Sequence, residues 1–238
     1  MDMELELTKR PKNVILIEGF PGFGLIGTIT TEFLIEHLKA EQIGRIKSNE
    51  LTPLVAIHDS EVIEPLGIFY SEKYNIVILH ALTSLSGLEW KLGDVINELC
   101  KQLQVKEVVS IEGVGTPLME EVKTINPYYY SKTNSKKFES IGVKPLKEGI
   151  VIGVTGALLL NIKSTPLSCI FVETHSKLPD SRGAAKVIEV LDKYLGLKID
   201  YKPLLKKADQ FEKKLAGLIE QSQTTSVQQK EKELSYLG

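Results

Sequence analysis

The sequence predicts an α/β fold: a three-layer α/β/α sandwich around a mostly parallel, mixed sheet, with a C-terminal helix and a flexible tail. Three observations carry that prediction. Short apolar runs alternate with amphipathic stretches between residues 14 and 195, the pattern of βαβ units. Glycine-rich turns close several of the runs. Beyond residue 220 the apolar periodicity is lost.

Residues 1–12 are polar and are expected to fray. Val14-Ile15-Leu16-Ile17 reads as a buried strand ending in Gly19-Phe20-Pro21-Gly22. Leu25, Ile29, Phe33, Leu34 and Leu38 recur at helical spacing and predict a helix over 25–38. Residues 43–80 hold short apolar runs broken by Pro53, Asp59-Ser60, residues 65–67 and residues 73–75, which predict hairpins and an antiparallel insertion near 50–75. Leu88, Leu92, Val95, Ile96, Leu99 and Leu103 mark a second helix, and Val108-Val109-Ser110-Ile111 a second buried strand. Residues 121–149 are the least regular. Residues 150–154 read as a short strand opening through Gly153 and Gly156, 167–172 as another strand, and 182–195 as a third helix. The expected domains are an α/β core over 13–200, a helical extension over 201–220 and a tail over 221–238.

Hydrophobic residues make up 42% and charged residues 25%, with a net charge of −2. This is the balance of a globular protein, without the basic stripe of a nucleic-acid binder. No run has the length of a membrane span or the plan of a signal peptide, so the expected location is cytoplasmic. Cys100 and Cys169 stand in apolar contexts and read as small buried hydrophobes. No metal and no cofactor is expected.

Gly22-Phe23-Gly24-Leu25-Ile26-Gly27 spells G-x-G-x-x-G between a strand and a helix, where backbone amides and a helix N-terminus suit a pyrophosphate. The rest of that fingerprint is missing. Gly19 and Pro21 lengthen the turn, and the position for an acidic residue near 42–47 holds Arg45 and Lys47. A structural strand-to-helix turn is favoured. His80 and His175 each follow a predicted strand, but neither pairs with another histidine at helical spacing. Glu18, Glu112 and Glu173 fall at or near strand ends and have two alternatives: lining one crevice for acid/base chemistry, or capping and pairing ions. Ser84, Ser86 and Ser110 lack a nucleophile elbow.

Pro203 is placed to open a helix, and Leu204, Ala208, Phe211, Leu215 and Leu218 then follow at four-three spacing. This brief heptad seam packs on its own domain or on another subunit. Residues 221–233 read as a linker. Leu234-Ser235-Tyr236-Leu237-Gly238 after it has the plan of a docking peptide on a leash, or of an idle end.

Gly19-Phe20-Pro21-Gly22-Phe23-Gly24-Leu25-Ile26-Gly27 resembles the turn of archaeal proteasome assembly chaperone homologues, relatives of the second assembly chaperone of eukaryotic proteasomes. Glu112-Gly113-Val114-Gly115-Thr116-Pro117, Gly153-Val154-Thr155-Gly156 and Leu178-Pro179-Asp180 extend the resemblance across about residues 13–195. It implies a nucleoside-phosphorylase-like core without established catalysis, and homo-oligomers, for which Leu204, Phe211, Leu215 and Leu218 are the candidate contacts. It further implies binding to proteasome α-subunits through Leu234, Tyr236, Leu237 and Gly238. The family tail carries tyrosine second from the end, whereas Tyr236 is third and Ser235 precedes it. Leu234 would then supply the apolar contact in a shifted register. The expectation is therefore a binding protein and not an enzyme. The rival is an enzyme or sensor of a nucleoside or phosphorylated small molecule. Its crevice would lie between Gly19, Phe20, Pro21, Gly22, Gly24 and Gly27 on one side and Gly113 and Gly115 on the other, with His80 or His175.

Overall fold

The run 14–17 folds as expected, into β2 (Ile15–Gly19), a strand buried at the centre of the sheet. The computed structural model describes residues 3–58, 61–115, 125–174 and 179–202. β2 lies between two parallel neighbours, β7 (Ile76–Ala81) and β8 (Glu107–Gly115), and β8 in turn pairs in parallel with β11 (Leu167–Thr174). A strand flanked this way is covered on both faces, which is why its sequence is apolar without alternation.

Antiparallel strands flank this parallel centre. On one side β6 (Leu66–Ser71) pairs with β7, β3 (Glu41–Lys47) with β6, and β1 (Glu4–Leu7) with β3. On the other, β9 (Pro127–Ser131) runs antiparallel to β11, and the short β10 (Lys144–Pro145) lies parallel to β9. The described residues thus form a nine-stranded mixed sheet, with a separate ribbon of β4 (Ala56–His58) and β5 (Glu61–Ile63). The antiparallel part is wider than the insertion expected near 50–75.

Helices α1 (Ile26–His37) and α5 (Ser181–Leu195) pack together on one face. Their core includes Ile29, Leu34, Ile188 and Leu191 against Ile17, Ile78 and Ile111. Helices α2 (Glu89–Leu103) and α4 (Gly153–Asn161) pack together on the other face. There Leu92, Ile96, Val154 and Leu158 meet Leu16, Leu79 and Val108. Between β9 and β10, α3 (Ser135–Ser140) brings Phe138 into a stack with Tyr129 and Tyr194.

Two expectations are corrected. Residues 3–12 are not frayed: Met3 is buried, β1 extends the sheet, and Glu6 accepts from Arg45 Nε at 2.6 Å and from Lys47 Nζ at 2.8 Å. The alternation Glu4-Leu5-Glu6-Leu7 is an edge-strand signal hidden by its charges. Residues 150–154 are not a strand. Gly153 adopts φ +79° and starts α4, so the apolar run before it is left exposed, with Ile150 at 90% and Ile152 at 67%.

Candidate functional site

The glycine turn follows β2 at the carboxyl edge of the sheet, beside the switch point where neighbouring connections leave to opposite faces. Such edges hold ligand sites in open α/β sheets. Here a 3-10 turn (Phe23–Leu25) precedes α1, with Gly24 at φ +64° and Leu25 at φ +51°. The glycines are used for the chain's contact with itself. A Cβ on Gly19 would lie 2.3 Å from the Gly27 carbonyl oxygen, and one on Gly113 would lie 2.1 Å from that of Phe23. A Cβ on Gly24 would meet Thr174 Oγ1 at 2.8 Å, and one on Gly22 would meet Glu112 Oε1 at 2.4 Å. The literal dinucleotide fingerprint thus encloses the protein's own backbone, and a carboxylate faces Gly22 where a pyrophosphate would need room. Phe20 is buried in the α2/α4 core, while Phe23 is 41% exposed. Gly115 lies beside the Phe23 ring, and Pro21 is half-buried at the turn.

The three strand-end carboxylates share one face. Glu18 pairs in register with Ser110, Ser110 with Cys169, Glu112 with Phe171, and Val114 with Glu173. Alternate residues of a strand point the same way, so Glu18, Glu112 and Glu173 all look toward the α4 side. Glu18 is fully buried, and neither carboxyl oxygen has a well-formed hydrogen bond. Burial raises its pKa to about 8; the nearby Ser110 hydroxyl opposes this and the charge of Glu112 adds to it. Ser110 Oγ lies 2.9 Å from Thr155 Oγ1, which donates to Glu112 Oε2 at 3.0 Å. Glu112 is raised to about 7 by burial, with the Thr155 hydrogen bond opposing. Two hydroxyls therefore join the environments of two carboxyl groups that hold protons near neutrality.

Glu112 and Glu173 open onto a crevice of about 810 Å³. Phe23, Val114, Leu146 and Ile152 supply apolar wall, and Tyr128 donates from its hydroxyl to Glu173 Oε1 at 3.3 Å. Segment 144–152 closes the outer side. Sequence reasoning missed this wall, because an exposed apolar run beside glycines carries no helical or strand period. It also missed Thr155 as the link between Ser110 and Glu112, which only register and helix placement bring together.

His80 is not part of this crevice. It is buried on the α1 side, with Nδ1 2.8 Å from Thr31 Oγ1 and Nε2 3.1 Å from Glu32 Oε2. It ties β7 to α1. His175, Thr116, Pro117 and Leu178 lie outside the described residues, as do the seam residues Leu204, Phe211, Leu215 and Leu218 and the segment Leu234, Tyr236, Leu237 and Gly238. Asp180 caps the start of α5: its side chain accepts from the Gly183 amide at 2.8 Å, and its own amide donates to the Gly24 carbonyl at 2.8 Å. Cys100 and Cys169 are buried free thiols, and burial pushes Cys100 up to about 12. The described residues hold no group of three or more histidine, cysteine or acidic side chains suited to a metal ion, and no helix long and apolar enough to cross a membrane.

The structure of Pyrococcus furiosus PbaA, described as an archaeal homolog of proteasome-assembly chaperone, is similar at a TM-score of 0.85 and 32% identity. The match covers 94% of this chain and 99% of that one. P. furiosus PbaB, described as an archaeal proteasome activator, shares the fold at a TM-score of 0.74 and 20% identity, over 91% and 98% of the two chains. The protein MJ1210 of Methanocaldococcus jannaschii is 29% identical over 250 residues, covering 95% of this chain and 93% of that protein. The PAC2 family model matches residues 16–219, from the second residue of β2 through all the glycine turns of the crevice edge, and the chain belongs to the PAC2 family.

Proposed function

We propose that this chain is a proteasome-binding scaffold of the assembly-chaperone type, a cytoplasmic homo-oligomer that docks on proteasome α-subunits through residues 234–238. The observation that supports this most is the likeness to PbaA, at 32% identity across nearly the whole of both chains. In this reading the chain works by binding and not by catalysis. The α/β core presents the partner-facing surface. The seam of Leu204, Phe211, Leu215 and Leu218 joins copies of the chain. The polar leash 221–233 gives the docking segment reach and a high local concentration.

Within that segment Tyr236 is the anchor, because a buried aromatic side chain commonly dominates a small interface. Leu234 and Leu237 add apolar contact. Tyr236→Ala is expected to weaken binding to α-subunits by about 2 kcal/mol or more, with oligomeric state unchanged. Titration of archaeal α-subunits by biolayer interferometry measures this; equal affinity of mutant and parent would remove the docking mechanism.

A further inference from the structure

We propose that the crevice beneath segment 144–152 is a binding site for a small organic amine with an apolar body, held by Glu112 and Glu173. Its volume of about 810 Å³ falls within the range of small-molecule sites. The walls are largely apolar, as such sites require, and the polar groups at the strand ends are acceptors. Phe23, Val114, Leu146 and Ile152 suit a ring or short alkyl body, while Glu112 and Glu173 accept hydrogen bonds from a cationic head.

The Glu112 carboxylate has a built position. Gly22 leaves the space that Oε1 occupies, and Thr155 in the first turn of α4 donates to Oε2. The attraction of that turn for an anion is thus already engaged by the protein's own side chain. A second observation points the same way. Behind Glu112, fully buried Glu18 has no well-formed hydrogen bond on either oxygen and lies beside the Ser110 hydroxyl, which in turn meets Thr155. A cation in the crevice favours ionised Glu112, and Glu18 stays neutral behind it. Lys144, Lys147 and Glu148 belong to the exposed outer segment, where solvent and salt screen them. The half-buried carboxylates Glu112 and Glu173 therefore set the sign of the ligand.

Phenethylamine is the probe, titrated into the full chain by isothermal calorimetry beside 2-phenylethanol and inorganic phosphate. The amine is expected to bind at least about tenfold more tightly than the alcohol, with phosphate silent. Its affinity is expected to rise as pH increases through about 7, where Glu112 loses its proton; Glu173, Tyr128 and the buried Glu18 and Cys169 are the other titratable groups on this face. Glu112→Gln keeps the shape and the acceptor for Thr155, and is expected to weaken the amine about tenfold and flatten the pH response. Val114→Phe narrows the crevice and supplies the same loss of binding if the first variant does not fold. Binding of the alcohol or phosphate as tight as the amine, or no amine binding at millimolar concentration, overturns the proposal.

Discussion

Glu18 and Glu107 are both buried carboxylates of the central sheet, and their surroundings differ. Glu107 Oε1 accepts from Tyr194 Oη and Asn134 Nδ2, each at 2.7 Å, and from Ser168 Oγ. Glu18 has no such ring of donors. The consequence is a pH dependence with a definite sign. In the unfolded chain Glu18 ionises near its ordinary value of 4.5, and in the native state near about 8. Between those values the native state holds the extra proton, so stability is fully present below the lower value, falls as pH rises, and levels above the upper one. The slope reaches at most about 1.4 kcal/mol per pH unit. Glu18→Gln removes this contribution and is expected to leave the protein more stable than the parent at alkaline pH, as measured by urea unfolding on both sides of neutrality. A steeper alkaline loss in the variant would contradict the assignment of a neutral Glu18.

The first strand–turn–helix unit shows how local sequence and tertiary contact divide the work. The run 14–17 and the helical period from Leu25 to Leu38 made β2 and α1 legible. The reason for the turn's glycines was not, because it depends on atoms distant in sequence: Phe23 against Gly113, Thr174 against Gly24 and Glu112 against Gly22. Gly19→Ala forces a methyl group onto the Gly27 carbonyl, a backbone contact that no rotamer relieves. It is expected to destabilise the protein by about 1–3 kcal/mol, seen as a lower midpoint in thermal unfolding; an unchanged midpoint would show that the turn has slack. The three carboxylates were individually visible in the sequence, but their common face followed only from the parallel register of β2, β8 and β11. His80 was legible as a strand-end histidine, yet the parity of β7 turned it to the opposite face, onto Thr31. Residues 144–149 carried too little periodicity to be placed, and the apolar run from Ile150 was read as a strand.

At the scale of the molecule, the α/β order of the core was readable because apolar runs and helical stripes alternate through residue 195, and the family match runs on to residue 219. The breadth of the antiparallel flanks was less readable, since edge strands such as β1 mix charged and apolar residues. Under the proposed scaffold role, the helical seam and the docking segment act separately. Leu215→Lys places a charge in the apolar seam and is expected to lower the solution mass in light scattering; the parent mass retained would show that copies meet elsewhere. The most direct measurement of the central claim is native mass spectrometry of the full chain with archaeal proteasome α-subunits, beside a version ending at Glu233. A complex is expected with the full chain and none with the shortened one. A complex of equal abundance with both would contradict docking through residues 234–238, and the absence of a complex with either would contradict the scaffold role itself.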